Sequence, residues 1–162
     1  MTQVQEANMD HQFLREAMAL AEASVRNGGG PFGAVVVHDG VIVGRGNNRV
    51  VPNNDPTAHA EIVAIRAACA QLNEYHLTGC VLYVNCEPCP MCFSAASWAH
   101  IERIVFAASR GDAADAGFDD VAIHQQVMLP LAERRILMQQ QLREEALKAF
   151  ELWKNLEGRI DY

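Results

Sequence analysis

Apolar positions along the chain alternate between a helical and a strand period. Leu14, Met18, Ala21 and Val25 recur at helical spacing, Asp10 can cap the start and Gly28-Gly29-Gly30 can stop it, so a helix over 10–27 is expected. Residues 33–38 are apolar almost throughout, Asp39-Gly40 is a two-residue hairpin turn, and 41–46 returns as a second strand. Asp55-Pro56-Thr57 opens a second helix over 57–72, with Thr57 as its N-cap. A strand over 80–85 follows, then a helix over 91–98, a strand over 103–107 and an acidic loop. A helix over 119–126, a strand over 135–139 and a last helix over 140–156 complete the chain. The order αββαβαβαβα predicts one α/β domain over 1–162, with five strands in a mixed sheet and parallel pairing beyond the hairpin. Strands apolar along their whole length suit a sheet covered on both faces, a three-layer α/β/α arrangement.

The last helix carries a stripe of its own. Leu142, Ala146, Ala149, Trp153 and Leu156 recur at coiled-coil-like spacing, and Phe150 and Leu152 widen it. It can pack within its own chain or form the surface of an exchanged or dimeric tail, because an apolar stripe of this size is a liability when exposed.

Composition narrows the range of partners. The 162 residues carry a formal net charge of −7, with only Lys148 and Lys154 as lysines and no basic run. A polyanion is repelled overall, so a small neutral substrate is expected and nucleic acid is not. No segment has the length of a membrane span, and residues 1–10 lack the apolar centre of a signal peptide, so a cytoplasmic protein is expected. Five cysteines, three of them within Cys86 to Cys92, point to metal chemistry rather than a disulfide framework.

The chemistry is concentrated in two short segments, Pro56-Thr57-Ala58-His59-Ala60-Glu61 and Pro88-Cys89-Pro90-Met91-Cys92. One imidazole and two thiolates, from His59, Cys89 and Cys92, suit one tetrahedral Zn2+ per chain and leave the fourth position open, as a catalytic site requires. Glu61 is then the proton carrier, the catalytic residue. Cys86 offers an alternative, because Cys86, Cys89 and Cys92 could close the site with three sulfurs. Residues two apart do not share a helix face, so His59 and Glu61 can serve one centre only from a helix's first turn. Cys89 also follows a proline and precedes an apolar run. Two helix N-termini are therefore expected to face the metal, where their dipoles stabilise thiolates.

These segments resemble the cytidine deaminase-like superfamily, whose signature is His-x-Glu followed by Pro-Cys-x-x-Cys. The resemblance covers nearly the whole chain. With Gly29-Gly30-Pro31-Phe32-Gly33-Ala34-Val35, Gly117-Phe118-Asp119-Asp120 and the terminal Tyr162, it comes nearest to the short bacterial guanine deaminases. The resemblance implies a cytidine deaminase-like fold, one zinc per chain and hydrolysis of guanine to xanthine and ammonia, with deamination of guanosine, and after it of another nucleobase or a tRNA adenosine, as alternatives; the reading from another class is a zinc-stabilised interaction module without activity. Substrate-binding roles are implied for Asn48, Phe32, Trp98, Asp120 and Tyr162. A homodimer is implied as well, with the segment over about 140–162 exchanged so that Tyr162 closes the partner's pocket. Asn47 beside Asn48 and Asp119 beside Asp120 each leave the register open by one residue.

Overall fold

The computed structural model describes residues 3–161. The chain divides after Asp120 into two compact units. The first contains α1 (Gln3–Arg26), β1 (Gly33–His38), β2 (Val41–Asn47), α2 (Val50–Asn53), α3 (Ala60–Leu72), β3 (Cys80–Cys86), α4 (Pro90–Trp98), β4 (Arg103–Ala108) and α5 (Arg110–Asp115). The strands form one mixed sheet in the order β2-β1-β3-β4. Asp39 and Gly40 join β1 to β2 with φ of 49° and 76°, the left-handed pair that a tight hairpin needs. β3 runs parallel to β4, as expected, but antiparallel to β1. The hairpin explains this. It reverses the chain, so α3 carries β2 across β1 to β3, which runs with β2 and therefore against β1.

Period-two alternation divides the sheet into two buried faces. Val35, Val37 and Tyr83 pack with Phe13 of α1 on one face. Ala34, Val36, Leu82 and Val84 pack on the other, against Ala60, Ala64 and Ala68 of α3 and Ala96 of α4. Burying each Val or Leu of these strands contributes roughly 1.5–3 kcal/mol. The buried face of α1 is Phe13, Ala17, Ala21 and Ser24, while Met18 and Val25 of the expected stripe are exposed. Close approach decides the difference. A Cβ on Gly33 would sit 2.1 Å from the Ala17 carbonyl oxygen, so α1 lies flush on β1 with its small residues inward. Asp10 is mid-helix rather than a cap. Its carboxylate accepts from both Arg103 guanidinium nitrogens (2.8 and 2.9 Å) and from the Tyr83 hydroxyl (2.7 Å), and the Arg103 bonds lower its pKa. The acidic loop after β4 contains a helix, α5, closed by a reciprocal capping box between Ser109 and Asp112.

The second unit contains α6 (Val121–Met128), a 3-10 turn (Leu131–Glu133) and α7 (Arg143–Lys154). The expected strand over 135–139 is not formed, so the sheet has four strands rather than five among the described residues. A strand needs a ladder partner, and the entry to this segment is tied instead to the end of α6. The Arg135 N–H donates to the Gln126 side chain, and the Arg134 guanidinium holds the carbonyls of Val127 and Leu129. Ile136 and Leu137 are left 80% and 78% exposed. Leu142, Phe150, Leu152 and Leu156 of the final stripe are exposed as well.

Candidate active site

The site begins with an Asx turn. The Asp55 carboxylate accepts from the Thr57 N–H (2.8 Å) and the Thr57 hydroxyl (2.7 Å). That turns the Thr57 side chain back toward Asp55 rather than into the helix, and α3 starts at Ala60 with His59 as its N-cap. His59 has extended backbone angles (φ −67°, ψ 156°), so its ring is free of the helix's facing rule and Glu61 can serve the same centre from the first turn. α4 repeats the device. Cys89 is its N-cap with φ −67° and ψ 167°, Pro90 is its first residue, and Cys92 follows three positions after the cap. An N-cap side chain ordinarily turns toward the third helical residue, and here that geometry sets two thiols facing each other.

His59 Nδ1 lies 3.6 Å from Cys89 Sγ and 3.5 Å from Cys92 Sγ. Tetrahedral zinc with ordinary Zn–S and Zn–N bonds requires S···N edges of about 3.6 Å. The donor set therefore fits the ion, and His59, Cys89 and Cys92 are placed to bind it. No other group of three ligating side chains comes together among the described residues. Cys86 is turned away, its thiol donating to the Ser109 carbonyl at 3.5 Å, and so the three-sulfur alternative is not formed.

The electrostatics prepare the same set. The Cys89 thiol is pushed down to about 4, chiefly by its hydrogen bond with Cys92 and then by His59. Its hydrogen bond with Cys89, and burial, raise Cys92 in turn. The hydrogen bond with Cys89 raises His59. Glu61 is 7% exposed, and burial pushes its carboxyl above the usual carboxylate range. A buried carboxyl of raised pKa beside a metal position is suited to carrying a proton in either direction.

Asn48 resolves as the inward member of its pair. It is 7% exposed, its N–H donates to the Phe32 carbonyl (3.0 Å) and its own carbonyl accepts from the buried Ser24 hydroxyl (3.0 Å). Its side-chain Oδ1 accepts from Gly30 N–H and Val50 N–H, both at 3.3 Å, whereas its Nδ2 donates to no group among the described residues. The next residue, Arg49, donates its N–H to the carbonyl of Ala58, immediately before His59 (2.9 Å). Phe32 packs against the α3-side core, and Asn85 pins its loop by accepting from Gly33 N–H (2.8 Å) and donating to the Pro31 carbonyl (3.0 Å). Sequence reasoning missed Ser24 and Asn85. The available signal was a lone polar residue on the apolar face of α1 and another within the apolar run of β3.

The structure thus gathers His59, Cys89, Cys92 and Glu61, with Asn48 and Phe32 adjoining through the loop contacts. Asp120 is half-buried and Asp119 exposed at the end of the first unit. Trp98 stands 68% exposed at the far end of α4, about 13 Å along the helix axis from Cys89. Tyr162 lies outside the described residues.

Comparison with known proteins follows the same lines. Residues 7–108 match the family described as the cytidine and deoxycytidylate deaminase zinc-binding region. Guanine deaminase of Bacillus subtilis is 47% identical over 95% of this chain and all of its own length. The X-ray structure of that enzyme superposes with a TM-score of 0.91, covering 94% of this chain and 98% of its own. A tRNA-specific adenosine deaminase of Aquifex aeolicus is 44% identical over 59% of this chain and 64% of its own.

Proposed function

From the premise that this chain belongs to the family of cytidine and deoxycytidylate deaminases with a shared zinc-binding region, we propose that it hydrolyses guanine to xanthine and ammonia. The observation that carries this reading is the extent of the match. Identity of 47% with a guanine deaminase runs through 95% of the chain, well past the family's zinc-binding region, which ends at residue 108. Similarity to the RNA-acting relative covers 59% of the chain, and a net charge of −7 disfavours a polyanionic substrate.

Zinc held by His59, Cys89 and Cys92 supplies Lewis acidity that brings the pKa of water toward neutrality. Glu61 takes a proton from the attacking water and hands it to ring N3 as C2 is attacked, then takes the remaining proton of the added hydroxyl and delivers it to the amino group, so that ammonia departs as the C2 carbonyl forms. Asn48 faces the base as a donor only, because both lone pairs of its Oδ1 are taken by backbone N–H groups. It therefore suits the carbonyl oxygen of guanine and offers nothing to the exocyclic amine of adenine. Asp120 accepts from the N–H groups of the guanine edge and Phe32 walls the ring, whereas Trp98, expected to share that role, stands at the opposite end of α4 from the metal ligands. The protein acts in the cytoplasm as a homodimer whose segment over about 140–162 is exchanged, so that Tyr162 completes the partner's pocket. The exposed stripe of the last helix supports that exchange.

The deciding experiment measures ammonia release from guanine, guanosine, adenine, cytosine and cytidine. Guanine is expected to give the highest kcat/KM, and a higher value for any other member of the panel overturns the assignment. For the exchange, a chain lacking residues 158–162 is mixed with a Glu61→Gln chain. Recovered activity supports exchange, and subunits that mix without recovering activity refute it.

A further inference from the structure

The segment between β4 and Asp120 is tied down at both ends by contacts that the chemistry above does not use. At its start, Glu87, two residues before the ligand Cys89, donates its N–H to the Ala108 carbonyl (2.9 Å). The two Glu87 carboxylate oxygens accept from the backbone N–H of Arg110 (3.1 Å) and from its guanidinium (2.9 Å). The Cys86 thiol adds its bond to the Ser109 carbonyl. The capping box then makes α5 a stiff single piece. At its end, Gly117 takes φ of 93°, and the Phe118 N–H returns to the Ala113 carbonyl (2.9 Å). That turn directs the Phe118 ring onto Phe32, edge to face, with centroids 5.0 Å apart and planes at 87°. Phe32 is itself immobilised by the Asn85 clamp and by the Asn48 N–H on its carbonyl.

Phe118 is nevertheless 44% exposed. A phenylalanine recruited only to fill a core would be covered. One held edge-on against a fixed ring, with much of its surface open, offers an apolar side to a flat heteroaromatic molecule arriving beside Asn48. We propose that residues 109–118 form a strap over the pocket, in which the Glu87–Arg110 ion pair positions the start on the metal-ligand loop and Phe118 is the substrate-contacting, specificity-determining end. The inference rests on the base-deaminase reading of the site. It adds Phe118 as a binding residue and Arg110 and Glu87 as positioning residues.

The test uses the zinc-loaded full-length protein and resolves kcat from KM for Phe118→Ala, Phe118→Tyr, Arg110→Gln and Arg110→Lys. Phe118→Ala is expected to raise KM about tenfold while kcat changes less than about threefold, as loss of uniform substrate binding does. Zinc content and Tm should stay at the wild-type values, and Phe118→Tyr should restore KM. Arg110→Gln should raise KM by a smaller factor, Arg110→Lys should recover part of it, and Phe118→Ala combined with Arg110→Gln should be no worse than Phe118→Ala alone. An independent readout is amide hydrogen exchange in the Glu61→Gln protein, where added guanine should protect residues 113–118. If another base proves to be the preferred substrate, the same comparisons are made with that base, so the strap is judged separately from the choice of guanine. A Phe118→Ala protein with unchanged KM overturns the strap alone, as does one that loses Tm or zinc with KM unmoved. A wild-type protein that neither binds nor turns over any base of the panel overturns the strap and the function together.

Discussion

Gly46→Ala tests how the sheet sets the metal site. Gly46 lies near the end of β2, beneath the first turn of α3. A Cβ there would lie 2.1 Å from the Ala60 carbonyl oxygen, 2.6 Å from the Ala64 nitrogen and 3.0 Å from the Val63 Cβ. Ordinary contact begins at 3.4 Å, so the first turn of α3 must retreat by 3.4 − 2.1, about 1.3 Å, or β2 must bend. Ala60 stands between His59 and Glu61, so both move with it, while Cys89 and Cys92 stay on α4. Metal sites tolerate about 0.2 Å in ligand distance, and a 1 Å misplacement near the chemistry costs about 10²-fold in rate. Overpacking of this kind also destabilises by roughly 1–3 kcal/mol. Gly46→Ala should therefore lose zinc at dialysis-level concentrations, melt at a lower temperature and deaminate about a hundredfold more slowly. Zinc by atomic emission, Tm by calorimetry and ammonia release by coupled assay measure the three effects. Arg45→Ala, an exposed change on the same strand, is the control and should leave all three at wild-type values. A Gly46→Ala protein with one zinc per chain and normal Tm and rate would show that α3 does not rest on β2 as described.

Three further outcomes are expected. Glu61→Gln should retain one zinc and bind guanine while losing at least about two orders of magnitude in kcat; zinc loss in that variant would assign Glu61 to the metal instead. Removing the metal with a chelator should abolish turnover and lower Tm, because a ligand bound only to the folded state stabilises it by mass action; an unchanged Tm with zinc shown to be gone contradicts a centre built from both α3 and α4. Asp10→Asn should destabilise the fold at pH 7 by about 1–2 kcal/mol, the charge-assisted bonds being discounted for the partial exposure of Arg103. Because the folded pKa of Asp10 is depressed, its contribution is present above the unfolded value near 3.9 and is lost as pH falls through the lower folded value. The stabilities of the wild-type and Asp10→Asn proteins, measured in urea, should therefore begin to draw together as pH falls below the unfolded value and converge only below the depressed folded value.

Much of the site was legible in the residues themselves. His59, Glu61, Cys89 and Cys92 are chemically unusual side chains at short fixed spacing, and a metal's ligand count and geometry constrain them without reference to the rest of the fold. The continuous apolar runs of β1 and β3 were equally plain, because a strand buried on both faces admits almost nothing polar. Tertiary structure decided what depends on distance between elements. Whether Cys86 joins the metal or bonds to Ser109 turns on where β4 ends relative to β3. Which face of α1 is buried turns on the missing side chain of Gly33, a contact with no periodic signature. The Asx turn moved the N-cap of α3 from Thr57 to His59, because the Asp55 carboxylate draws the Thr57 N–H and hydroxyl toward itself. Residues 135–139 have strand composition and no ladder partner among the described residues, and β structure, unlike a helix, cannot satisfy its backbone from within one segment.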